Sequence, residues 1–594
     1  MIALAIVLAI VPRTLFLTTS SDGKGTLPLG AHLVLEAFGS LGRPVKFSDA
    51  SILYFPDSLR NYSVIVVPTI FGYHDGDRLY SLTYLDTFAM RNLTQWVKQG
   101  GLLIASENIG RNTPDGTDRI IDDGKLTRDE WPLGYAFGFD MVERSIQGMR
   151  LVKCYNHHLP FFNAYPKELR ETITTPEWIL VPDTNSMLES VEVLAEWRAE
   201  NLCYPGITFN RYGKGYAMYI SSFLLLHPSF DGGYGDIPAI ISFYKEIYRF
   251  LTGVPDGVEL AINPWPDGAR AALVVTLNAT GAIDEYQRTI SKLLKLVPTV
   301  TVFVKGSLTK KQLTLISRSN QIELGNHGYS CPSFRDLPYG DTKREILVTH
   351  NLLDTPNGFR FPHAEPTPYG LMVLDELGYL YESSIIVNHL ETFMGALFPY
   401  NLVVYTPERY VRTLNLLEIS PITPDYSFYY KLDKSTTYTE HELKQDADAF
   451  YSYLNMMWRI IRDARGVMVQ MGCPLYEGHS DVTLEPLLRF LHERKQEPAI
   501  WFANLTQVGT WWRALSKVDA EIKTRGNIVT IKLHNRNNHT LDRFTLRFYG
   551  PYLKTAVKSK RTKPVTFWRD ESDGRYLYVV FNLKKEAEIT FVLK

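Results

Sequence analysis

Between Pro264 and Leu515, eight short β-rich runs recur with helical stretches between them, and this alternation limits the fold more than any other feature of the chain. The runs are ALVVTLN (272–278), VTVFVKG (300–306), IELGNH (322–327), GFRFPH (358–363), YLYESSII (379–386), LLEISPI (416–422), VMVQMGC (467–473) and AIWFAN (499–504). Near-continuous apolar, β-branched runs of this length read as strands buried on both faces. Helical spacing fills the gaps, most clearly at Asp284–Leu296, Pro368–Leu377, Glu440–Ala464 and Leu484–Glu493. Strands joined by helical crossovers run parallel, and eight of them predict a closed or nearly closed β/α barrel. Functional side chains of a barrel stand at the C-terminal strand ends, which here carry Asn278, His327, Arg360, His363, Ser420 and Cys473.

The flanks follow different periods. From Arg13 to Gly253, the runs RTLFLTTS, VKFSDASIL, YSVIVVPT and GLLIAS alternate with helical spacing at Leu29–Leu41 and with a stripe of Leu85, Phe88, Ala89, Leu93, Trp96 and Val97. That pattern predicts a doubly wound α/β domain with a parallel sheet. After Leu515 the helical signal stops. Short alternating runs separated by turns such as Gly526–Asn527 and Asp573–Gly574 predict a small antiparallel β-sandwich. The expected fold class is thus α/β, with domains at 13–255, 262–515 and 516–594.

A chain of 594 residues, 45% apolar and 21% charged, is globular, which excludes a disordered or polytopic membrane protein. With a net charge of -1 the whole chain is no general nucleic-acid binder. The charge is uneven, however. Leu515–Lys594 holds 17 Lys and Arg against 8 Asp and Glu, enough to favour an acidic glycan or an anionic envelope surface, or simply a solvated Lys-rich face. The expectation is a peripheral module that can be deleted without unfolding the barrel.

At the N-terminus, Ile2–Val11 is uncharged and apolar. It is too short alone for a bilayer span of ~20 residues, and its length fits a signal-peptide core of ~7–15. The expectation is an extracellular or membrane-anchored protein with this segment as signal or anchor; the alternative is a buried N-terminal segment.

Two further resemblances attach to these runs. The segment from about Arg13 to Gly253 resembles the class I glutamine amidotransferase-like domain in its order of elements and in the runs GGLLIAS and RYGKGYAMYI. That family needs a cysteine at a sharp strand-to-helix turn. Here the turn reads Ser106-Glu107-Asn108-Ile109-Gly110, so an inert scaffold is expected, with Ser106 as nucleophile and His74 as base the weaker reading.

The barrel resembles the polysaccharide deacetylases of the chitooligosaccharide-deacetylase homology type over about Pro264–Leu515. PWPDGARAALVVTLNATG (264–281), ELGNHGYSCP (323–332) and GFRFPHAEPT (358–367) are similar to its first three motifs. LDELGYLYESS (374–384) matches a structural run, and VMVQMGCP (467–474) stands where a strand ending in a catalytic His is expected. The resemblance implies a divalent metal held by an Asp and two His, a second Asp as general base and a His as general acid. This chain departs at four of those five positions. Asn278, Ala279 and Thr280 stand where two acids belong, Cys331 replaces the second His, and Gln470 or Met471 replaces the last.

The resemblance therefore implies a polysaccharide- or oligosaccharide-binding protein of carbohydrate metabolism with little or no hydrolysis. The candidate contacts are Asn278, His327, Arg360, His363 and Glu365. Zinc on His327 and Cys331, with Cys473, His363 or His479 completing the set, is the alternative that would make an active N- or O-deacylase; no cofactor is the favoured reading. A Cys331–Cys473 disulfide is a third arrangement. A structural scaffold is the remaining function class. Among carboxylates near strand ends, Glu365, Glu382, Glu418 and Asp425, a glycosidase would need two set ~5–10 Å apart. Tyr329, Phe334, Tyr369, Trp458 and the Trp511–Trp512 pair are the aromatics that could stack on sugar.

Overall fold

The computed structural model describes residues 7–593 except for 11–12, 19–24, 26, 69–72, 76–77, 81–84, 107–108, 112, 114–118, 121–123, 146–148, 155–177, 200, 222–236, 256, 280–282, 310–311, 314–318, 388–392, 406–410, 423–438, 473–480, 551–554 and 573. The chain opens with β1 (Val7–Ile10), which belongs to the last lobe. The first lobe is built from β2 (Thr14–Leu17), α1 (Leu29–Gly39), β3 (Val45–Ser48), β4 (Val64–Val67), α2 (Thr87–Gln99) and β5 (Leu102–Ser106), followed by β6 (Arg150–Lys153), β7 (Val191–Ala199), β8 (Leu202–Tyr212), β9 (Gly215–Ile220) and α3 (Ile237–Thr252). Its sheet runs β6-β7-β8-β9-β5-β4-β2-β3. The five strands from β9 to β3 are parallel, as the helical crossovers require, while β6, β7 and β8 extend the sheet antiparallel. The all-parallel expectation fails there because β8 and β9 are joined by the tight Gly213–Lys214 turn, which leaves no room for a crossover.

Alternate residues of these strands feed opposite layers. Leu15, Leu17, Ile65, Val67, Leu103 and Ala105 pack with α2 through Ala89, Leu93 and Trp96. Phe16, Val64, Val66, Leu102 and Ile104 share the opposite core with Val34 and Phe38 of α1 and Phe243 and Ile247 of α3. α2 begins at Asp86, whose carboxylate accepts from the Ala89 N–H at 2.7 Å. It ends at Gly100, whose φ of 128° only glycine adopts without strain.

The strand β10 (Glu259–Ile262) leads into the second lobe: β11 (Ala271–Ala279), α4 (Ile283–Leu293), β12 (Val300–Val304), β13 (Ile322–Asn326), α5 (Tyr339–Leu352), β14 (Gly358–Phe359), α6 (Pro368–Glu376), β15 (Tyr381–Glu382), β16 (Tyr400–Tyr405), β17 (Val411–Glu418), α7 (Glu440–Ala464), β18 (Val467–Gly472), α8 (Asp481–Gln496), β19 (Ile500–Phe502) and α9 (Leu505–Ser516). All eight expected strands are present. With β16 added they form one curled nine-stranded sheet in the order β16-β17-β15-β14-β13-β12-β11-β18, with β19 also on β11. The curl nearly closes where Pro421 bridges Val469 and the Ile422 N–H donates to the Val469 carbonyl at 3.0 Å. The antiparallel β16 stands outside the parallel set and reaches the first lobe. There Asn401 donates to the Phe47 carbonyl at 2.7 Å and accepts from the Phe47 N–H at 2.9 Å, capping the edge strand β3.

The last lobe comprises β20 (Val518–Arg525), β21 (Ile528–Asn535), β22 (Leu541–Tyr549), β23 (Thr555–Lys560), β24 (Val565–Glu571), β25 (Gly574–Leu583) and β26 (Glu586–Leu593). Its two sheets run β1-β20-β21-β26-β23 and β10-β22-β25-β24. Both recruit a strand from elsewhere. The N-terminal run expected as signal or anchor supplies β1, antiparallel to Glu521–Thr524, and the interlobe segment supplies β10. Among the described residues no helix is long and apolar enough to cross a membrane.

The expectation of a peripheral tail therefore fails. Arg547 forms a buried pair with Glu259 at 2.6 Å and also donates to the Ser40 carbonyl at 3.2 Å. Arg465, at the end of α7, pairs with Glu571, and Arg43 donates to the Val518 carbonyl. A single apolar core runs through all three lobes.

Candidate functional site: the barrel mouth

Arg360 organises the C-terminal ends of the strands. It follows β14 and is 1% exposed. Its Nε donates to the Ser383 carbonyl at 2.7 Å and its Nη2 to Ser383 Oγ at 3.0 Å. Its Nη1 donates to Thr276 Oγ1 at 2.8 Å and to Asn278 Oδ1 at 3.1 Å. The guanidinium lies 4.3 Å from the ring centroid of Phe303, a cation–π contact in a low-dielectric setting. Asn278, which stands at the position of the expected acids, thus serves as a neutral acceptor for a fixed cation.

His327 follows β13 and is also buried. Its Nδ1 lies 2.7 Å from the Arg360 carbonyl, so Nδ1 carries the proton and Nε2 is left as an acceptor. Burial pushes its pKa down to about 4, and electrostatic interaction with Arg360, His363 and Lys305 acts in the same direction against the carbonyl hydrogen bond. The imidazole is therefore neutral at physiological pH. Cys331 has a positive φ of 58°, and its thiol donates to the His327 carbonyl at 3.3 Å. Burial, first, pushes that thiol up to about 11, so it is protonated.

These residues fit a zinc ion poorly. A metal here would meet one neutral imidazole and a thiol that already donates elsewhere, close to a fixed guanidinium. Among the described residues no group of three His, Cys, Asp or Glu side chains comes together. Cys473 and His479 lie outside the described residues, so the three-ligand set lies outside them as well; Cys331 is a free thiol, as are Cys154 and Cys203, so the expected Cys331–Cys473 disulfide is not formed.

The remaining candidates separate. His363 is exposed on a short 3-10 turn with φ of 59°, near enough to His327 to affect its charge. Glu365 accepts from Ser333 Oγ at 3.0 Å and pairs with Arg335 at 2.8 Å, a rim ion pair. Glu382 and Glu418 are register partners on adjacent strands and both fully buried, which leaves no space for a sugar and an attacking water between them; they are not a glycosidase pair. Burial raises both carboxyls. The charge of Glu382 pushes Glu418 well above the usual range, and the pair retains a proton. Asp425 and the Glu107–Asn108 part of the turn after Ser106 lie outside the described residues, as does the side chain of His74; Ser106 itself is fully buried.

Of the aromatics, Phe334, Trp458 and Trp512 are core residues, and the Trp511 indole donates to the Pro264 carbonyl at 2.8 Å. Tyr339 packs edge-on against Tyr369. Tyr329, 43% exposed and packed beside Gly306, is the aromatic that the mouth presents to solvent. Lys305, Thr276 and Ser383 were not singled out from the sequence. Lys305 is the penultimate residue of the run VTVFVKG and directly follows β12, and a charged residue just after an apolar strand is the signal that marks it.

No family model matches the chain, and no curated protein matches it. Solved structures do. The carbohydrate deacetylase Agd3 aligns over 99% of both chains at 10% identity, with a TM-score of 0.36. A family 4 carbohydrate esterase from Streptomyces lividans, solved with acetate, aligns over 41% of this chain and 96% of its own at 12% identity, with a TM-score of 0.26. A mutant of a CE4 family pseudoenzyme aligns over 41% of this chain and 68% of its own at 14% identity, also with a TM-score of 0.26. These are likenesses of the chain's course, and the functional reading rests on its own side chains.

Proposed function

We propose that the barrel is a deacetylase-like fold that binds a polysaccharide or oligosaccharide at its mouth with little or no hydrolysis. The observation that supports this most directly is the Arg360 guanidinium hydrogen-bonded to Asn278 Oδ1, Thr276 Oγ1 and Ser383. A fixed cation and a neutral amide stand where a hydrolytic metal centre needs anionic ligands and a base. An amide cannot take a proton from water, and a general base typically contributes ~10²–10⁴-fold in rate. The neutral imidazole of His327, exposed His363 and the Tyr329 ring supply the acceptor, donor and stacking surface that a sugar needs. On this reading the first lobe is an amidotransferase-like scaffold without a nucleophile, and the protein acts outside the cell or at its envelope.

The test is direct. The purified chain is titrated with N-acetylated chitooligosaccharides by calorimetry, and acetate release is followed with and without added Zn²⁺. Saturable binding without acetate release is expected, and His363→Ala with Tyr329→Ala should weaken binding about tenfold, or ~1.4 kcal/mol. Stoichiometric bound metal together with chelator-sensitive acetate release would overturn the reading in favour of an active deacylase.

A further inference from the structure

A cavity lies at the end of the barrel strands opposite the mouth, the N-terminal end. It measures about 320 Å³ and is lined by the first lobe and by the barrel lobe with its closing helix α9. Pro44, Val45 and Lys46 come from the first lobe, Tyr400, Asn401, Asn415 and Leu417 from the barrel sheet, and Trp512, Arg513, Ser516 and Lys517 from α9 and its C-terminal cap. Its charge is one-sided: Lys46, Arg513 and Lys517 line it, and no Asp or Glu does.

Of these cations, Arg513 lies near enough to Lys46 to act on its charge. Arg513 is held by its Nη2, which donates to the Leu380 carbonyl at 3.2 Å and to the Asn415 carbonyl. Lys46 is tied down through its strand, because Asn401 clamps the neighbouring Phe47 backbone. The Lys46 ammonium makes no hydrogen bond or ion pair with a described residue. Burial first, and then Arg513, lower its pKa. The acid that acts on both is Asp375, outside the lining, whose charge raises the pKa of each. It already pairs with Arg412 at 3.0 Å and accepts from the Asn415 N–H at 2.7 Å.

Two like charges drawn partly out of water, with a single carboxylate outside the lining that is already paired with Arg412, are under-compensated and favour an anion in the cavity. The cavity is near the lower limit of small-molecule sites, ~300 Å³, and combines an apolar wall with convergent polar groups. We propose that this junction cavity binds a small organic anion of about monosaccharide size, its carboxylate or phosphate set between Lys46 and Arg513 and its body against Val45 and Leu417. Because the lining comes from the first lobe and the barrel lobe, an occupant would hold those two together, and the site stands independently of the barrel mouth.

The full-length protein is titrated by calorimetry and thermal shift with glucuronate, glucose 6-phosphate, inorganic phosphate and neutral glucose at constant ionic strength. At least one of the two sugar anions should bind saturably at one site and raise Tm; glucose should do neither, and inorganic phosphate should bind at least tenfold more weakly. Lys46→Met should reduce sugar-anion affinity at least tenfold while leaving the ligand-free Tm equal or higher, since it removes an unpartnered charge. Lys46→Arg should bind within about threefold of the parent, and Tyr329→Ala, at the opposite end of the barrel, should bind as the parent does. Glucose matching the sugar anions, inorganic phosphate matching them, or unchanged binding by Lys46→Met would each overturn the proposal.

Discussion

At the residue scale, His327 shows how placement fixes chemistry. A histidine whose folded pKa is about 4, against an ordinary value of 6.5, is neutral in the fold and charged in the unfolded chain between those limits. The unfolded state then binds more protons, so stability is fully present above about pH 6.5 and is lost as pH falls toward 4. A shift of this size corresponds to roughly 3 kcal/mol. Urea unfolding at pH 7 and pH 4 should show that loss in the parent and a smaller one in His327→Gln; equal losses would remove His327 as the source. Arg360→Met should cost ~1–3 kcal/mol, because it leaves Asn278 and Ser383 with fewer partners inside the barrel. His327, Arg360 and Asn278 were legible from their places at strand ends. That Arg360 would donate to Asn278 was not, because it depends on how the strand ends converge across the barrel.

At the element scale, periodicity identified the strands and most helices of the barrel. α7 begins and ends at the expected residues because Thr439 and Glu442 form a capping box and Arg465 takes the left-handed C-cap conformation. Long-range pairing was the part that could not be read. Nothing in Val7–Ile10 names Glu521–Thr524 as its partner, since a short apolar run serves equally as signal core or buried strand. The pairing of β15 with β17 was equally hidden, and it makes Glu382 and Glu418 neighbours. Both carboxyls are raised, so the folded state binds more protons than the unfolded one above the ordinary carboxylate range. Stability from the pair is present at low pH and is lost as pH rises through the folded values. Glu418→Gln keeps the shape and removes the larger of the two shifts. Unfolding measured from pH 5 to pH 9 should therefore flatten in the variant, and an unchanged slope would place the pH dependence elsewhere.

At the scale of the whole molecule, the lobes are not independent units. The third lobe completes its sheets with β1 from the N-terminus and β10 from the interlobe segment, and Glu259 of β10 is neutralised by Arg547 of β22. Burial alone would raise the Glu259 carboxyl, but Arg547, Lys245 and Arg249 outweigh it and hold the pKa at about 2. Removing one partner of a buried ion pair leaves the other charge uncompensated, at a cost of ~3–5 kcal/mol. Arg547→Met should therefore lose stability of that order, and adding Glu259→Gln should restore much of it. Deleting Ser516–Lys594 goes further, because it strips β1 and β10 of their partners and leaves Arg465 at the barrel without Glu571. The deleted chain should fail to accumulate as a soluble folded protein. Calorimetry of the full chain should likewise show the barrel and the last lobe melting in one cooperative transition. A truncated protein that keeps a sharp melt and native near-UV circular dichroism, or two separate transitions in the full chain, would show that the continuous core does not couple the lobes.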